Sequence, residues 1–213
     1  MHALTRPLLA RRLRRQLATD LDDYCVNLYK QGATGRLFKL TLVSHGYTFV
    51  GKGTVKGYMP RSKFEGRVYS HLKERQGQII PVHLGNIDLV RPWIRGGFDI
   101  VHMLLMSWAG DCVIDNVARD EAGERLVEEQ GKRFNAECVK IGACHCDTYL
   151  RNMVWNEENQ QVMFVDFDQT ILFDVRRPPR EVICFMQRFL DWWKEGEDIV
   201  DDTGAAVIFI SKQ

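Results

Sequence analysis

Two short apolar segments joined by a polar turn impose the tightest constraint on the fold of this chain. Residues 153–155 and 162–165 predict strands, and the amide and acidic side chains at 156–159 predict the turn between them. An antiparallel hairpin places the start of its first strand beside the end of its second strand. Asn152 directly precedes the first strand and Asp166 directly follows the second, so we expect these two side chains to be neighbours.

A third polar residue, Asp147, is expected close to this pair. The pattern of residues 121–141 predicts a long helix that ends at Gly142, and Asp147 follows on the loop that leads to the hairpin. Two carboxylates and one amide offer only oxygen ligands, which suit Mg²⁺ held partly by substrate phosphates. The structural alternative is that Asp147 caps a turn, while Asn152 and Asp166 satisfy loop backbone.

The rest of the chain predicts strands and one helix first, and mostly helix afterwards. The first part contains predicted strands at residues 37–43, 47–55 and 100–106, a short strand-like run at 79–84, and a helix at 62–73. Residues 108–111 break this pattern, and a last helix is predicted at 180–194. This order favours an α+β protein in two lobes joined at the break.

The residues around Asp147 resemble the protein-kinase pattern, in which H-R-D-L-x-x-x-N is followed by D-F-G. Here the pattern reads His145-Cys146-Asp147, then Asn152, then Asp166 followed by phenylalanine. The resemblance implies that Asp147 is the catalytic aspartate and that Asn152 and Asp166 are metal ligands. It also implies that His145 holds the loop. Phosphoryl transfer needs such a set, because a metal neutralises the phosphate oxygens and a carboxylate orients the attacking hydroxyl.

A lysine and a glutamate in the first half of the chain fit the same pattern. Kinase-like sites use a strand lysine to hold nucleotide phosphates and a helix glutamate to position it. Lys52 lies within a predicted strand and Glu65 within the next predicted helix. Lys56 and Lys63 are alternatives to Lys52, but neither is in the middle of a strand. Glu65 has a competing interpretation as part of a helix capping box that begins at Ser62.

Two glycines, Gly32 and Gly35, precede the first predicted strand. Glycine lets backbone N–H groups approach phosphates closely, so both are candidate ATP-binding positions. The third glycine that is usual in the kinase loop is replaced by Lys30. Two glycines at this spacing also mark many ordinary turns.

A closer resemblance is to fungal protein-kinase-like domains, and it covers about residues 31–175. The residues that carry it are Gly51-Lys52-Gly53-Thr54, Glu65, Val68-Tyr69, Gln76-Gly77, Pro81, His102-Met103, Ser107-Trp108-Ala109-Gly110, Arg151-Asn152-Met153-Val154-Trp155 and Val165-Asp166-Phe167-Asp168. The resemblance implies a β-rich N-lobe at residues 31–106. It implies a hinge and a reduced, mainly helical C-lobe at 107–213, and ATP and Mg²⁺ as cofactors.

Several residues depart from the usual protein-kinase pattern. Cys146 stands where arginine usually follows the loop histidine, and Asp168 stands where glycine usually ends D-F-G. Aminoglycoside and choline kinases share both features, which leaves a small-molecule kinase as an alternative. Tyr149 replaces the usual lysine after Asp147, and Arg151 is the candidate to neutralise the transferred phosphate instead.

The segment after Asp168 is short for a kinase C-lobe and contains no Ala-Pro-Glu motif. An active phosphotransferase, with a protein serine or threonine as acceptor, and a pseudokinase that binds nucleotide or partners without turnover both remain open. Trp192, Trp193 and the apolar residues 205–210 are expected to form core in the second lobe. A protein partner that completes a short lobe is the alternative.

The first 30 residues predict a basic amphipathic helix. Leu9, Leu13, Leu17 and Leu21 recur every four residues among arginines, with no acidic residue before Asp20. Such a helix packs its leucines on the domain, or it serves as a mitochondrial transit peptide.

Composition and net charge limit the partners, the location and the metals that the sequence predicts. The net charge of +1 does not favour a nucleic-acid partner, and no apolar run reaches the roughly 20 residues of a membrane span. Six cysteines with no secretory signal predict free thiols and an intracellular, cytoplasmic location. Zinc is disfavoured, because the consecutive residues Cys144-His145-Cys146 are poorly spaced for one tetrahedral site.

Overall fold

A computed structural model describes residues 5–20, 24–31, 35–95, 98–117 and 121–185 of the chain. The chain is a mixed α+β protein, as predicted, and it divides into two compact units, Met1–Trp108 and Ala109–Gln213. The division falls within the predicted break at residues 108–111. In the described part of the chain, no helix combines the length and the apolar character that a membrane crossing requires.

The first unit is an antiparallel sheet with two helices. Its elements are α1 (Arg6–Thr19), β1 (Cys25–Gln31), β2 (Arg36–Leu42), β3 (Tyr47–Val55), α2 (Met59–His71), β4 (His83–Arg95) and β5 (Phe98–Met106). The strand order is β1-β2-β3-β5-β4, and every neighbouring pair is antiparallel. β3 therefore lies in the middle of the sheet, with Lys52 opposite Leu37 on one side and Leu104 on the other.

Helix α1 packs its leucine stripe on this sheet. Leu9, Leu13 and Leu17 are buried in one cluster with side chains of β2 and β5, which include Phe38 and Met103. The prediction of a helix through residue 30 was wrong in its second part, because α1 ends at Thr19 and β1 follows. β1 pairs with β2 at the edge of the sheet and carries little periodic signal of its own.

Two other predictions in the first unit need correction. Of the strand-like run predicted at residues 79–84, only the last two residues lie in a strand, β4, which begins at His83 and continues to Arg95; Ile79 lies in a turn and Ile80 forms an isolated bridge with Gln76. The apolar pattern at Ile79 and Ile80 reflects their burial in the core and not a strand. Helix α2 begins at Met59, before Ser62, so the capping-box interpretation of Ser62 and Glu65 was also wrong.

The second unit contains a long helix and short strands. Its elements are β6 (Asp111–Cys112), α3 (Val113–Asn116), α4 (Glu121–Lys140), β7 (Ala143–Cys144), β8 (Met153–Asn156), β9 (Gln161–Phe164) and β10 (Ile171–Leu172). β8 and β9 form the predicted hairpin, in which Met153 pairs with Phe164. β6 adds a third strand to this sheet, and β10 pairs with β7. Residues 180–185 are helical, and the rest of the predicted last helix lies outside the described residues.

Aromatic packing joins α4 to the hairpin and to the loop after it. Phe134 of α4 stacks on Phe164 of β9 with ring centroids 3.8 Å apart. Phe167 lies beside His145 at 4.7 Å in an edge-on arrangement. Gly142 ends α4 as predicted; its φ is +76°, and a Cβ there would lie 2.3 Å from the carbonyl oxygen of Phe173. These contacts hold the end of α4 and the loop at His145 against the segment that follows β9.

Candidate functional site

A buried ion pair joins β3 to α2 in the first unit. The Nζ atom of Lys52 donates to Oε2 of Glu65 at 2.9 Å, and their side chains are 7% and 0% exposed. A buried charge is tolerated when it has a partner, and removing one partner leaves the other charge uncompensated. The pair therefore holds the lysine ammonium group in one place beside the sheet. Lys63, one of the two alternatives, pairs instead with the exposed Asp88.

The strand period explains why Lys52 points toward α2. A Cβ on Gly51 would lie 2.5 Å from Leu40, and a Cβ on Gly53 would lie 2.7 Å from Phe38. Leu40 and Phe38 belong to the cluster that packs against α1, so the glycines face that side. Successive strand residues alternate in direction, and Lys52 therefore faces the opposite side of the sheet.

One of the two candidate phosphate-loop glycines lies against Lys52. A Cβ on Gly35 would be 3.2 Å from Cγ of Lys52 and 2.9 Å from the backbone oxygen of Gly53. The absence of a side chain at Gly35 thus lets the backbone approach the lysine closely. Gly32 lies outside the described residues.

A row of hydrogen-bonded polar side chains, which the sequence did not predict, packs against helix α2. His83 Nε2 donates to Asn86 Oδ1 at 2.9 Å, Asn86 Nδ2 donates to His102 Nε2 at 3.0 Å, and His102 Nδ1 donates to Asp88 Oδ1 at 2.6 Å. A Cβ on Gly66 would lie 2.4 Å from Asn86 Oδ1, so the helix packs directly on this amide. Burial lowers the pKa of His83 and His102, which favours neutral rings.

In the second unit, Asn152 orients Asp147. The Nδ2 group of Asn152 donates to Oδ2 of Asp147 at 2.8 Å and to its backbone oxygen at 2.9 Å. Both residues are buried. Because both amide hydrogens are used on Asp147, the Oδ1 atom of Asn152 is the group left to accept a ligand.

His145 ties the Asp147 loop to the residue before Asp166. Its Nε2 donates to the Val165 carbonyl oxygen at 3.0 Å, and its Nδ1 accepts from the backbone N–H of Asp147 at 3.3 Å. Full burial lowers the pKa of His145 to about 4, so the ring is neutral and carries its proton on Nε2. The one signal in the sequence for this role was the position of His145 in the kinase-like pattern.

The hairpin places Asp166 one residue beyond Val165, which lies opposite Asn152, so Asp166 and Asn152 are on the same end of the hairpin, as predicted. The N–H of Val165 donates to the backbone oxygen of Asn152 at 3.0 Å, and Asp166 follows with φ +66° and ψ +64°. This left-handed conformation is uncommon for a residue with a side chain and is typical of functional sites.

The donor set near the hairpin fits a hard cation that substrate helps to bind. The amide oxygen of Asn152 and the carboxylate of Asp166 are oxygen donors of the kind that Mg²⁺ uses together with phosphates. Across the described residues, no group of three or more His, Cys, Asp and Glu side chains is arranged to hold a metal.

Arg151 contacts the predicted catalytic carboxylate. Its Nη2 donates to Oδ1 of Asp147 at 2.7 Å, and its guanidinium lies over the Tyr149 ring at 4.5 Å from the centroid. Burial raises the pKa of Asp147 above its usual value, and the charge of Arg151 and the hydrogen bond from Asn152 offset only part of that rise. Tyr149, which replaces the usual lysine, packs under the arginine side chain.

No protein-family model matches the chain. The chain is similar to the meiotic driver SPOK2 of Podospora anserina, with 42% identity over 151 residues. The matched stretch is 70% of this chain and 18% of SPOK2, so the chain spans less than a fifth of that relative.

The structure brings the predicted residues together in two groups, one in each unit. Lys52, Glu65 and Gly35 are neighbours in the first unit. Asp147, Arg151, Asn152 and Asp166 lie on one loop and hairpin of the second unit. The sequence did not predict a role for Asn86. This residue contacts helix α2 at Gly66, next to Glu65, and so supports the first group indirectly.

Proposed function

We propose that this chain is an ATP- and Mg²⁺-dependent phosphotransferase with a two-lobed protein-kinase-like fold. Its reaction would transfer the γ-phosphate of ATP to a hydroxyl group, with a protein serine or threonine as acceptor. The observation that carries the proposal is the double hydrogen bond from Asn152 to Asp147. It fixes a carboxylate that can orient a hydroxyl and leaves an amide oxygen for a metal.

The residues of each unit have distinct roles in this proposal. Asp147 would orient the acceptor hydroxyl and accept its proton, and Asn152 and Asp166 would hold the metal. When bound, Mg²⁺ would neutralise the oxygens of the β- and γ-phosphates. Lys52, held by Glu65, binds nucleotide phosphates. Gly35, whose backbone lies close to Lys52, would contact those phosphates, and Gly32 stays a candidate that lies outside the described residues.

Arg151 is proposed to neutralise the phosphate during transfer. Its guanidinium is about half exposed, with 49% of the side chain accessible, although it is anchored on Asp147 and Tyr149. An exposed guanidinium can pair with a phosphate in a bidentate manner. Arg151 would thus take the part that a lysine plays in serine/threonine kinases.

A second candidate function is a nucleotide-binding module without turnover, a pseudokinase. The contact between Arg151 and Asp147 favours it, because the arginine occupies Oδ1, one of the two oxygens available to the acceptor hydroxyl. An active enzyme has to release or share that oxygen when the acceptor binds. A small-molecule kinase is the third candidate, and it rests on Cys146 and Asp168 alone.

Nucleotide binding and transfer separate these candidates. Thermal unfolding with and without Mg²⁺-ATP, followed by transfer of radiolabelled phosphate, would be measured for the wild type, Asp147→Asn and Asp166→Ala. The proposal predicts stabilisation of the wild type and of Asp147→Asn, weaker stabilisation of Asp166→Ala, and transfer by the wild type alone. Stabilisation without transfer would indicate the pseudokinase. Absence of any stabilisation by nucleotide would overturn all three candidates.

The acceptor is tested in the same assay. A generic serine- and threonine-containing protein, choline and an aminoglycoside would be supplied separately as hydroxyl acceptors. Label on the protein supports the proposed acceptor class, and label on a small molecule supports the third candidate.

The similarity to a meiotic driver supports a broader proposal about context. We infer that the phosphotransfer site serves a protein with a role in meiotic drive, acts inside the cell, and binds a protein partner. Co-purification of a defined partner with the wild-type chain and a changed transmission ratio in crosses of carrier with non-carrier strains would test this role. Equal transmission would contradict it.

A further inference from the structure

Two cysteine sulfurs lie close together on the loop that carries Asp147. The Sγ atoms of Cys144 and Cys146 are 3.4 Å apart, and Cys146 Sγ is also 3.4 Å from the backbone oxygen of Cys144. Both are free thiols. A disulfide bond is about 2.05 Å long, so the two sulfurs need to approach by little more than an ångström to form one.

The two thiols differ in accessibility. Cys144 is buried in β7, whereas Cys146 is partly exposed and has a φ of +59°. The hydrogen bond that the sulfurs share lowers the pKa of the Cys146 thiol and, together with burial, raises that of Cys144. Cys146 is therefore the thiol that an oxidant reaches first, and Cys144 is the partner placed to resolve it.

We propose that Cys144 and Cys146 form a reversible oxidative modification site that closes as a disulfide across His145. The oxidant is of the hydrogen peroxide class. The Cys146 thiolate attacks one peroxide oxygen, which gives a sulfenic acid and, after proton transfer, one water. The Cys144 sulfur then attacks the sulfenic sulfur and releases a second water. Two thiols are oxidised by two electrons in total, and one peroxide is reduced to two waters.

Closure of this bridge acts on the residue between the two cysteines. His145 uses Nε2 on the Val165 carbonyl and Nδ1 on the Asp147 N–H, and its ring is packed beside Phe167. Drawing the flanking sulfurs together moves the backbone at His145 and competes with both hydrogen bonds. The oxidised loop would release Asp147 from its fixed position, a consequence that rests on the proposed function.

A bridge across one residue is strained and therefore easily reduced. Small disulfide rings depart from the preferred geometry, and strained disulfides have higher reduction potentials than structural ones. We therefore expect a thiol of the glutathione class to restore the reduced loop. The site is thus suited to reversible modification and not to permanent cross-linking.

The modification is tested by mass, without any assay of activity. Trypsin releases residues 141–151 as one peptide that contains Cys144 and Cys146 and no other cysteine. Titration of the full chain with hydrogen peroxide, followed by alkylation, should give this peptide two hydrogens lighter and unalkylated. Dithiothreitol should restore two alkylation sites.

Cys184 provides the matched control, because it is exposed and has no adjacent cysteine in the sequence. The Cys184→Ser variant should form the bridge as the wild type does, and Cys146→Ser and Cys144→Ser should not. If the peptide keeps two free thiols at peroxide concentrations that oxidise Cys184, the proposal is overturned. Conversion of Cys146 to a sulfinic acid with Cys144 still free overturns it equally.

The effect on the loop has a separate readout. Peroxide should lower phosphate transfer at least tenfold in the wild type and in Cys184→Ser, with recovery after dithiothreitol, and should leave Cys146→Ser little changed. Bridge formation with unchanged transfer would overturn the proposed effect on Asp147. If the reduced protein shows no transfer at all, the proposed function fails, while the mass of the peptide still decides the modification.

Discussion

Asn152 donates both hydrogens of its side-chain amide to Asp147, one to the carboxylate at 2.8 Å and one to the backbone oxygen at 2.9 Å. This arrangement couples the start of strand β8 to the loop before it. It determines the orientation of the carboxylate and of the amide oxygen at the same time. Any change at Asn152 is therefore expected to disturb both the proposed hydroxyl site and the proposed metal site.

Substitution of Asn152 by aspartate should abolish most phosphate transfer. The replacement has the same shape but loses both donors and places a second carboxylate against Asp147. We expect transfer to fall about a hundredfold or more, since misplacing a general base removes an effect of that size. Asn159→Asp, on the exposed turn between β8 and β9, is the control and should retain wild-type transfer. Equal losses in both variants would contradict the assigned role.

Substitution of Lys52 by methionine should destabilise the first unit. It removes the Lys52 ammonium group from the buried Glu65 carboxylate, and breaking a buried ion pair in this way typically costs about 3–5 kcal/mol. Denaturant unfolding should show a lower free energy of unfolding, and Mg²⁺-ATP should stabilise the variant less than the wild type.

A double variant separates stability from nucleotide binding at the same pair. Lys52→Met combined with Glu65→Leu replaces the ion pair by apolar side chains and should recover much of the lost stability. Stabilisation by nucleotide should not return, because the ammonium group is still missing. Recovery of nucleotide binding in the double variant would show that Lys52 does not contact the phosphates.

Substitution of Gly66 by alanine should displace helix α2. The added Cβ would lie 2.4 Å from Asn86 Oδ1, and overpacking of this kind costs about 1–3 kcal/mol. Gly57→Ala is the matched control, because no heavy atom lies within 4 Å of a Cβ at that position. Unfolding of Gly57→Ala and Gly66→Ala at the same denaturant concentration would contradict the predicted clash with Asn86.

Acid should destabilise the second unit through His145. The folded protein holds the pKa of His145 at about 4, below the ordinary histidine value of 6.5, so the unfolded chain binds a proton more readily. The neutral His145 ring makes its full contribution to the free energy of unfolding above about pH 6.5. That contribution, about 3 kcal/mol in total, is lost as the pH falls toward 4. Unfolding free energies measured from pH 7.5 to 4.5 should fall less steeply in His145→Gln than in the wild type. Identical slopes would contradict this assignment.

The sequence by itself determined the elements whose signals are local. The period of residues 121–141 with Gly142 predicted α4, and the alternation around a polar turn predicted the β8–β9 hairpin. The hairpin in turn required Asn152 and Asp166 to be neighbours, because antiparallel pairing fixes which ends meet. The candidate site of the second unit could therefore be predicted from the sequence.

Only the tertiary structure decided which distant residues meet. Strand β1 and most of β4 had no clear local period, since partners elsewhere in the sheet hold them in place. The packing of Asn86 under Gly66 and the 3.4 Å approach of Cys144 to Cys146 depend on backbone paths that no short pattern encodes. Local periodicity records which face of an element is buried, whereas side-chain contacts depend on how separate elements pack.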